Sequence, residues 1–125
     1  MNLRLFLRIL APVPCLVILA NIVFAAGPIR PQLAAGIHSM ALDVNGTLRT
    51  WGSDSYGQLG TGRMVQSAAP RAVVATGTFI KIAAGVGHSL ALKSDGSLWT
   101  WGLNYYGQLG DATTTSRSTP VTPTR

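Results

Sequence analysis

An internal repeat of fifty residues constrains the fold of this 125-residue chain more than any other feature. The segment 38–60, HSMALDVNGTLRTWGSDSYGQLG, aligns without gaps with the segment 88–110, HSLALKSDGSLWTWGLNYYGQLG, and 14 of the 23 positions are identical. Typical composition gives only about one or two identities by chance over this length. The chain is long enough for one small domain. Two copies of one supersecondary unit must therefore make up most of it.

Each copy has the pattern of a β-hairpin. In the second copy, residues 89–92 and 97–101 are strand-forming and flank the turn Ser94-Asp95-Gly96, and the first copy has Asn45-Gly46 at the same turn. We predict two further strands at 71–75 and 79–84, joined by a turn between them. Four short strands in about fifty residues make one blade of a β-propeller. The chain is thus predicted to be all-β, with two propeller-type blades.

Residues that recur in both copies are predicted to serve the architecture. The histidines have no second His or Cys at a metal-ligand spacing, and no Gly-x-Ser-x-Gly motif accompanies them. The carboxylates do not form a repeated pair suited to hydrolysis. We therefore predict no catalytic residue, no metal site and no cofactor. The positions assigned a structural role are His38, His88, Trp51, Trp101, Gly46, Gly96, Gly52, Gly102, Gly57, Gly107, Gly60 and Gly110.

Three segments of the second copy carry a family resemblance. The sequences AAGVGHSLAL (83–92), DGSLWTWG (95–102) and YGQLG (106–110) resemble the repeat of the regulator of chromosome condensation family, and the similarity extends over about residues 34–123. The resemblance implies blades of a seven-bladed β-propeller, of which this chain has two. The family includes a nuclear guanine-nucleotide exchange factor for the small GTPase Ran, and secreted bacterial β-lactamase inhibitory proteins have a similar fold. It therefore implies a fold and protein binding, but no single activity.

The N-terminal residues resemble a secretion signal. Arg4 and Arg8 precede an apolar run over 9–24, and Val23-Phe24-Ala25 fits a signal-peptidase site. We expect cleavage after residue 25 and a secreted or periplasmic protein. The alternative is an uncleaved membrane anchor, because the run approaches the ~20 residues that span a bilayer. The predicted division is a signal peptide at 1–25, a linker at 26–33, a first repeat at 34–76 and a second repeat at 77–125.

Charge and cysteine content exclude other classes of protein. The net charge is +6, but the basic residues are scattered singly along the chain, so we expect no nucleic-acid partner. The single cysteine, Cys15, excludes an internal disulfide and a cysteine-based zinc site. Contact with a membrane is expected only through the N-terminal segment before its cleavage.

Aromatic residues that differ between the copies are the candidates for partner contact. Trp99 and Tyr105 have Arg49 and Ser55 as their counterparts. Positions that vary between matching copies are freer to be exposed, and exposed aromatic residues are enriched in protein interfaces. We name Trp99, Tyr105 and Arg49 as candidate binding residues.

These observations favour a secreted or periplasmic protein-binding or inhibitor-type module without catalysis, with an unidentified protein partner, as a fragment of a larger propeller. Self-association is a second expectation, because two blades leave apolar faces uncovered. The alternative function is guanine-nucleotide exchange on a small GTPase.

Overall fold

The computed structural model describes residues 28–124, and the predicted signal segment lies outside these residues. They form two four-stranded antiparallel sheets with strand orders β1-β2-β3-β4 and β5-β6-β7-β8, which we call blade 1 and blade 2. This confirms the all-β prediction of two propeller-type blades. Within the described range there is no helix long and apolar enough to cross a membrane. The strands are β1 (Gln32–Ala35), β2 (His38–Leu42), β3 (Leu48–Gly52), β4 (Ser67–Ala72), β5 (Phe79–Ala84), β6 (His88–Lys93), β7 (Leu98–Gly102) and β8 (Arg117–Val121).

The central hairpins of the two blades have the same register because their turns have the same chemistry. Leu42 pairs with Leu48 in blade 1, and Leu92 pairs with Leu98 in blade 2. Gly46 has a φ of +79° in the first turn, a conformation that glycine adopts without steric cost. A Cβ at Gly46 would also overlap the backbone and side chains of the β4–β5 connection and β5. The first turn is therefore restricted by its conformation and by contact with blade 2.

The fourth strand of blade 1 differs from the prediction. The sequence predicts a strand at 71–75, joined by a turn to the next strand, but β4 spans Ser67–Ala72 and pairs with β3. The strand predicted at 79–84 is confirmed as β5, which begins blade 2. Five of the six residues of β4 are exposed, and they lack the alternation of a half-buried strand. Its position is set by pairing with β3, so its own sequence does not mark it.

Strands β4 and β8 each form one edge of their sheet, and β1 and β5 form the opposite edges. Both contain a proline, Pro70 in β4 and Pro120 in β8, at equivalent positions of the repeat. Proline has no backbone N–H and is found in sheets almost only at edges or bulges. The ladders at β3–β4 and β7–β8 both contain register irregularities.

The hydrophobic core lies between the two blades. Blade 1 contributes Met40, Leu42 and Leu48, and blade 2 contributes Phe79 and Trp101, all at most 3% exposed. We call the side that blade 1 turns towards blade 2 its forward face, and the side that blade 2 turns towards blade 1 its rear face. Because side chains alternate along a strand, each blade has one face of each kind. The forward face of one blade and the rear face of the next form the interface.

Candidate protein-interaction surface

A buried chain of hydrogen bonds joins the blades at His38. The Nε2 atom of His38 lies 2.7 Å from the hydroxyl of Ser89, and that hydroxyl donates to the carbonyl of Gln58 at 2.8 Å. The Trp101 indole donates to the same carbonyl at 2.8 Å. Because the hydroxyl proton of Ser89 is donated to Gln58, the hydroxyl oxygen must accept a hydrogen bond from His38. The neutral imidazole therefore carries its proton on Nε2.

This arrangement gives His38 a structural role. Its Nδ1 atom is buried and has no hydrogen-bond partner among the described residues. Burial lowers the pKa of His38, and the nearby His88 lowers it further. Protonation would place an N–H on Nδ1 where no acceptor lies. The neutral ring therefore connects the blades, and its partners are a serine and a backbone carbonyl instead of a carboxylate.

The loops that follow β3 and β7 are held by two repeated sets of hydrogen bonds. The Thr50 hydroxyl donates to the carbonyl of Leu59 at 2.6 Å, and the Thr100 hydroxyl donates to the carbonyl of Leu109 at 2.8 Å. The N–H groups of the same two leucines donate to a buried Asp54 or Asn104 side chain at 2.9 Å. These threonines were missed as key positions, although both recur in the repeat.

The carboxylates act as local hydrogen-bond acceptors. Burial raises the pKa of Asp54. Hydrogen bonds from adjacent turn residues lower the pKa of the other three, Asp43, Asp95 and Asp111. For Asp111 the hydroxyl of Thr113 contributes most, and its pKa falls to about 2. Within residues 28–124, no group of three His, Cys, Asp or Glu side chains is arranged to hold a metal ion.

At the end of the blades where the β1–β2, β3–β4, β5–β6 and β7–β8 loops lie, apolar side chains are exposed. Tyr105 is 63% exposed and Tyr106 91%, while Val86 and Ile37 of the shorter loops are 73% and 50% exposed. With the half-buried Tyr56, we call these five residues the loop-end surface.

The loop-end surface is continuous across the two blades. The Ile37 N–H donates to the Val86 carbonyl at 3.2 Å. The rings of Tyr56 and Tyr105 meet edge to face, with centroids 5.8 Å apart and planes at 82°. Gly87 lies between these two contacts, since a Cβ there would be 3.3 Å from the Tyr56 ring. Neither blade forms this surface alone, so its shape depends on the interface between them.

The three candidate binding residues lie in different places. Tyr105 is in the loop-end surface, whereas Arg49 is exposed on the rear face of blade 1. Trp99, expected to be exposed, is half-buried between the blades and packs against the core. Its indole donates to the Ser97 hydroxyl at 2.8 Å, and the Lys93 ammonium lies 3.9 Å from its ring centroid. The structure thus does not bring Trp99, Tyr105 and Arg49 into one site.

Comparison with known families identifies the repeat. The sequence matches the Regulator of chromosome condensation (RCC1) repeat over residues 45–92 and 95–124, and a second description of the same repeat over residues 79–108. The chain belongs to the RCC1 repeat family. This confirms the resemblance seen in the sequence, and no curated protein matches the chain.

Solved structures of RCC1-type proteins are similar to these two blades. Human WBSCR16 is 26% identical, with a TM-score of 0.65 over 74% of this chain and 25% of its own. Prp20p from Saccharomyces cerevisiae, described with its binding properties to Gsp1p and histones, is 22% identical, with a TM-score of 0.69 over 80% of this chain and 27% of its own. Yeast RCC1 (Prp20) bound to Kap60 is 29% identical, with a TM-score of 0.63 over 80% of this chain and 24% of its own. The RCC1-repeat chain therefore spans about a quarter of the length of these relatives.

Proposed function

We propose that this RCC1-repeat chain is a protein-binding module that holds its partner on the loop-end surface and performs no chemistry of its own. Exposed tyrosines carry this proposal. Tyr105 and Tyr106 place two large amphipathic rings in solvent, on loops whose backbones are fixed by buried hydrogen bonds. Rigid aromatic side chains give large contact area at low cost in conformational entropy, and tyrosine is enriched among the residues that dominate binding energies.

The relatives support the same class of partner. The yeast protein Prp20 has been solved with Kap60 bound, and Prp20p is described with its binding to Gsp1p and histones. Only the class, a protein, is carried over to this chain, because it spans about a quarter of those proteins. The basic and apolar N-terminal residues support export, so the partner we propose is a secreted or periplasmic protein, bound by an inhibitor-type module.

Binding measurements on matched variants test this proposal. The protein, in the form that the host processes, is used to capture a partner from the extracytoplasmic fraction. The affinity of that partner is then measured for the double variant Tyr105→Ala/Tyr106→Ala and for Val74→Ala. Val74 is also an exposed apolar residue, 57% exposed, but it lies in the β4–β5 connection outside the loop-end surface. We expect the double tyrosine variant to weaken binding by about 30-fold or more, and the valine variant to leave it unchanged.

Two results would overturn the proposal. Unchanged affinity of a double tyrosine variant that melts like the parent would show that the partner binds elsewhere. Accelerated nucleotide release from one member of a panel of small GTPases would replace simple binding with exchange activity.

A further inference from the structure

The interface between the blades supplies a template for contacts at the two outer faces. Blade 2 has its own forward face, directed away from blade 1, and blade 1 has its own rear face, directed away from blade 2. The forward positions of blade 1 and their equivalents in blade 2 are His38 and His88, Leu42 and Leu92, and Leu48 and Leu98. The repeat thus presents again, on the outside, residues that are buried inside.

The burial of equivalent residues differs accordingly. Leu48 is 3% exposed inside the interface, whereas Leu98 is 41% exposed on the outer forward face. On the rear faces, Ser89, Ala91 and Trp101 are buried, whereas their equivalents Ser39, Ala41 and Trp51 are only half-buried. Leu33, the equivalent of the core-packed Ile82, is 84% exposed.

We propose that the forward face of blade 2 binds the rear face of blade 1 of a second copy of this chain, head to tail. In this contact the His88 imidazole donates from Nε2 to the Ser39 hydroxyl of the second copy, as His38 donates to Ser89 within one chain. The Ser39 hydroxyl and the Trp51 indole then donate to the Gln108 carbonyl of the first copy. Every donor and acceptor of the internal hydrogen-bond chain has its equivalent, since these residue types recur in the repeat.

A second copy is the occupant we propose because the repeat places on its two outer faces residue types that meet inside the chain. Trp101 fits against Gly60, where a Cβ would lie 2.7 Å from the indole nitrogen. Gly110 is the equivalent of Gly60, and their φ values are +69° and +66°. A Cβ at Gly110 would lie 3.3 Å from the Pro123 ring, so Trp51 of the second copy would pack beside Gly110 and against Pro123. Such a contact is heterologous, and it builds a ring or an open chain of copies instead of a symmetric dimer.

Several positions depart from the template and weaken the contact relative to the internal one, among them Asp43, which stands on blade 1 where blade 2 has the buried Lys93. Gln32 of blade 1 donates to the Ile80 carbonyl at 2.7 Å and accepts from the Ile82 N–H at 3.1 Å. Its equivalent in blade 2 is Lys81, which has donors and no acceptor. Arg49 replaces Trp99 on the rear face. We therefore expect the contact between copies to be weaker than the internal interface. Copies should dissociate on dilution while the two blades of each chain stay packed together.

Blocking the two faces separately tests the proposal. Leu98→Arg blocks the forward face of blade 2, and Leu33→Arg blocks the rear face of blade 1. The control, Ser94→Arg, adds the same charge at an exposed turn position outside both faces. The full chain is used in the form that the host yields, and mass spectrometry defines its N-terminus. Sedimentation velocity over a concentration series then measures its association. We expect the parent and the control to associate, and each face variant to have a dissociation constant raised at least about tenfold.

Mixing the two face variants gives the decisive result. Each variant keeps the face that the other has lost, so the mixture is expected to form a one-to-one dimer and nothing larger. A cooperative thermal melt verifies that each variant is folded, and Leu92→Arg with Ala41→Arg serves as a second pair. A parent chain that stays monomeric at its highest concentration would overturn the proposal. So would folded variants that fail to dimerise on mixing, or a single face variant that still dimerises with itself.

Discussion

The two blades of this RCC1-repeat protein show how far environment, as opposed to sequence, decides the role of a residue. His38 of blade 1 is buried and hydrogen-bonded to blade 2, whereas His88, at the same position of the repeat, is half-buried. The tryptophans show the reverse order, since Trp101 is fully buried and Trp51 of blade 1 is half-buried. A residue of the repeat is therefore a core residue only where a neighbouring blade covers it. Equivalent substitutions in the two blades measure the contribution of that neighbour.

The largest difference is expected for the tryptophans. Trp101→Ala removes a fully buried ring and its hydrogen bond to Gln58, which should cost about 3–5 kcal/mol of unfolding free energy. Trp51→Ala should cost about 1 kcal/mol in dilute monomeric protein, because its ring is half-buried. Urea unfolding of both variants measures the two losses. Equal losses would show that the interface between the blades does not carry the stability assigned to it.

A smaller effect, equal in the two blades, is expected for the threonines. Thr50→Val and Thr100→Val each remove the donor to a carbonyl in the loop of the same blade, at Leu59 or Leu109. Loss of one partner of a buried hydrogen bond costs about 1–3 kcal/mol. Because both bonds lie within one blade, the two variants should lose the same stability in urea unfolding. A clear difference between them would mean that the neighbouring blade also supports these loops.

The smallest effect is a dependence of stability on pH that comes from one blade. Because the pKa of His38 in the folded protein lies below its ordinary value of 6.5, the unfolded chain binds a proton more readily. This contribution is fully present above pH 6.5 and is lost as the pH falls from there towards the folded pKa. The slope is at most about 1.4 kcal/mol per pH unit, the limit for one proton.

Glutamine substitutions separate the two histidines in this measurement. His38→Gln should remove the slope of unfolding free energy between pH 6.5 and the folded pKa, since the titrating ring is gone. His88→Gln should retain most of it, because His88 is the lesser cause of the lowered pKa. A slope that persists in the first variant would assign the titration to another group.

Much of the fold could be predicted because the repeat doubles each local signal. The central hairpins have strand-forming residues on both sides of an Asn-Gly or Asp-Gly turn, and both turns have the expected glycine at positive φ. Strand β4 could not be placed correctly, since an exposed edge strand with a proline has no alternating pattern. Local sequence patterns therefore predict hairpins well. They predict poorly the strands whose positions depend on pairing with a neighbouring strand.

The candidate site was predictable only in part. Tyr105 is exposed as expected. Trp99 and Arg49 occupy equivalent positions of the repeat, but only Arg49 is exposed, because Trp99 faces blade 1 while Arg49 faces outward. Variation between copies therefore does not report exposure when the two copies have different neighbours. The hydrogen bond between His38 and Ser89 joins residues 51 positions apart, and it becomes visible only once the blades are stacked.

The edge prolines bear on the way in which these blades meet other chains. At Pro70 in β4 and Pro120 in β8 the backbone offers no N–H to an incoming strand, so an added strand would lose a ladder bond at the same point of either sheet. Addition of a strand at these two edges, the route to amyloid-like pairing, is thereby disfavoured. A chain with exposed apolar faces can thus meet a partner through those faces while the edges at β4 and β8 resist the addition of a further strand.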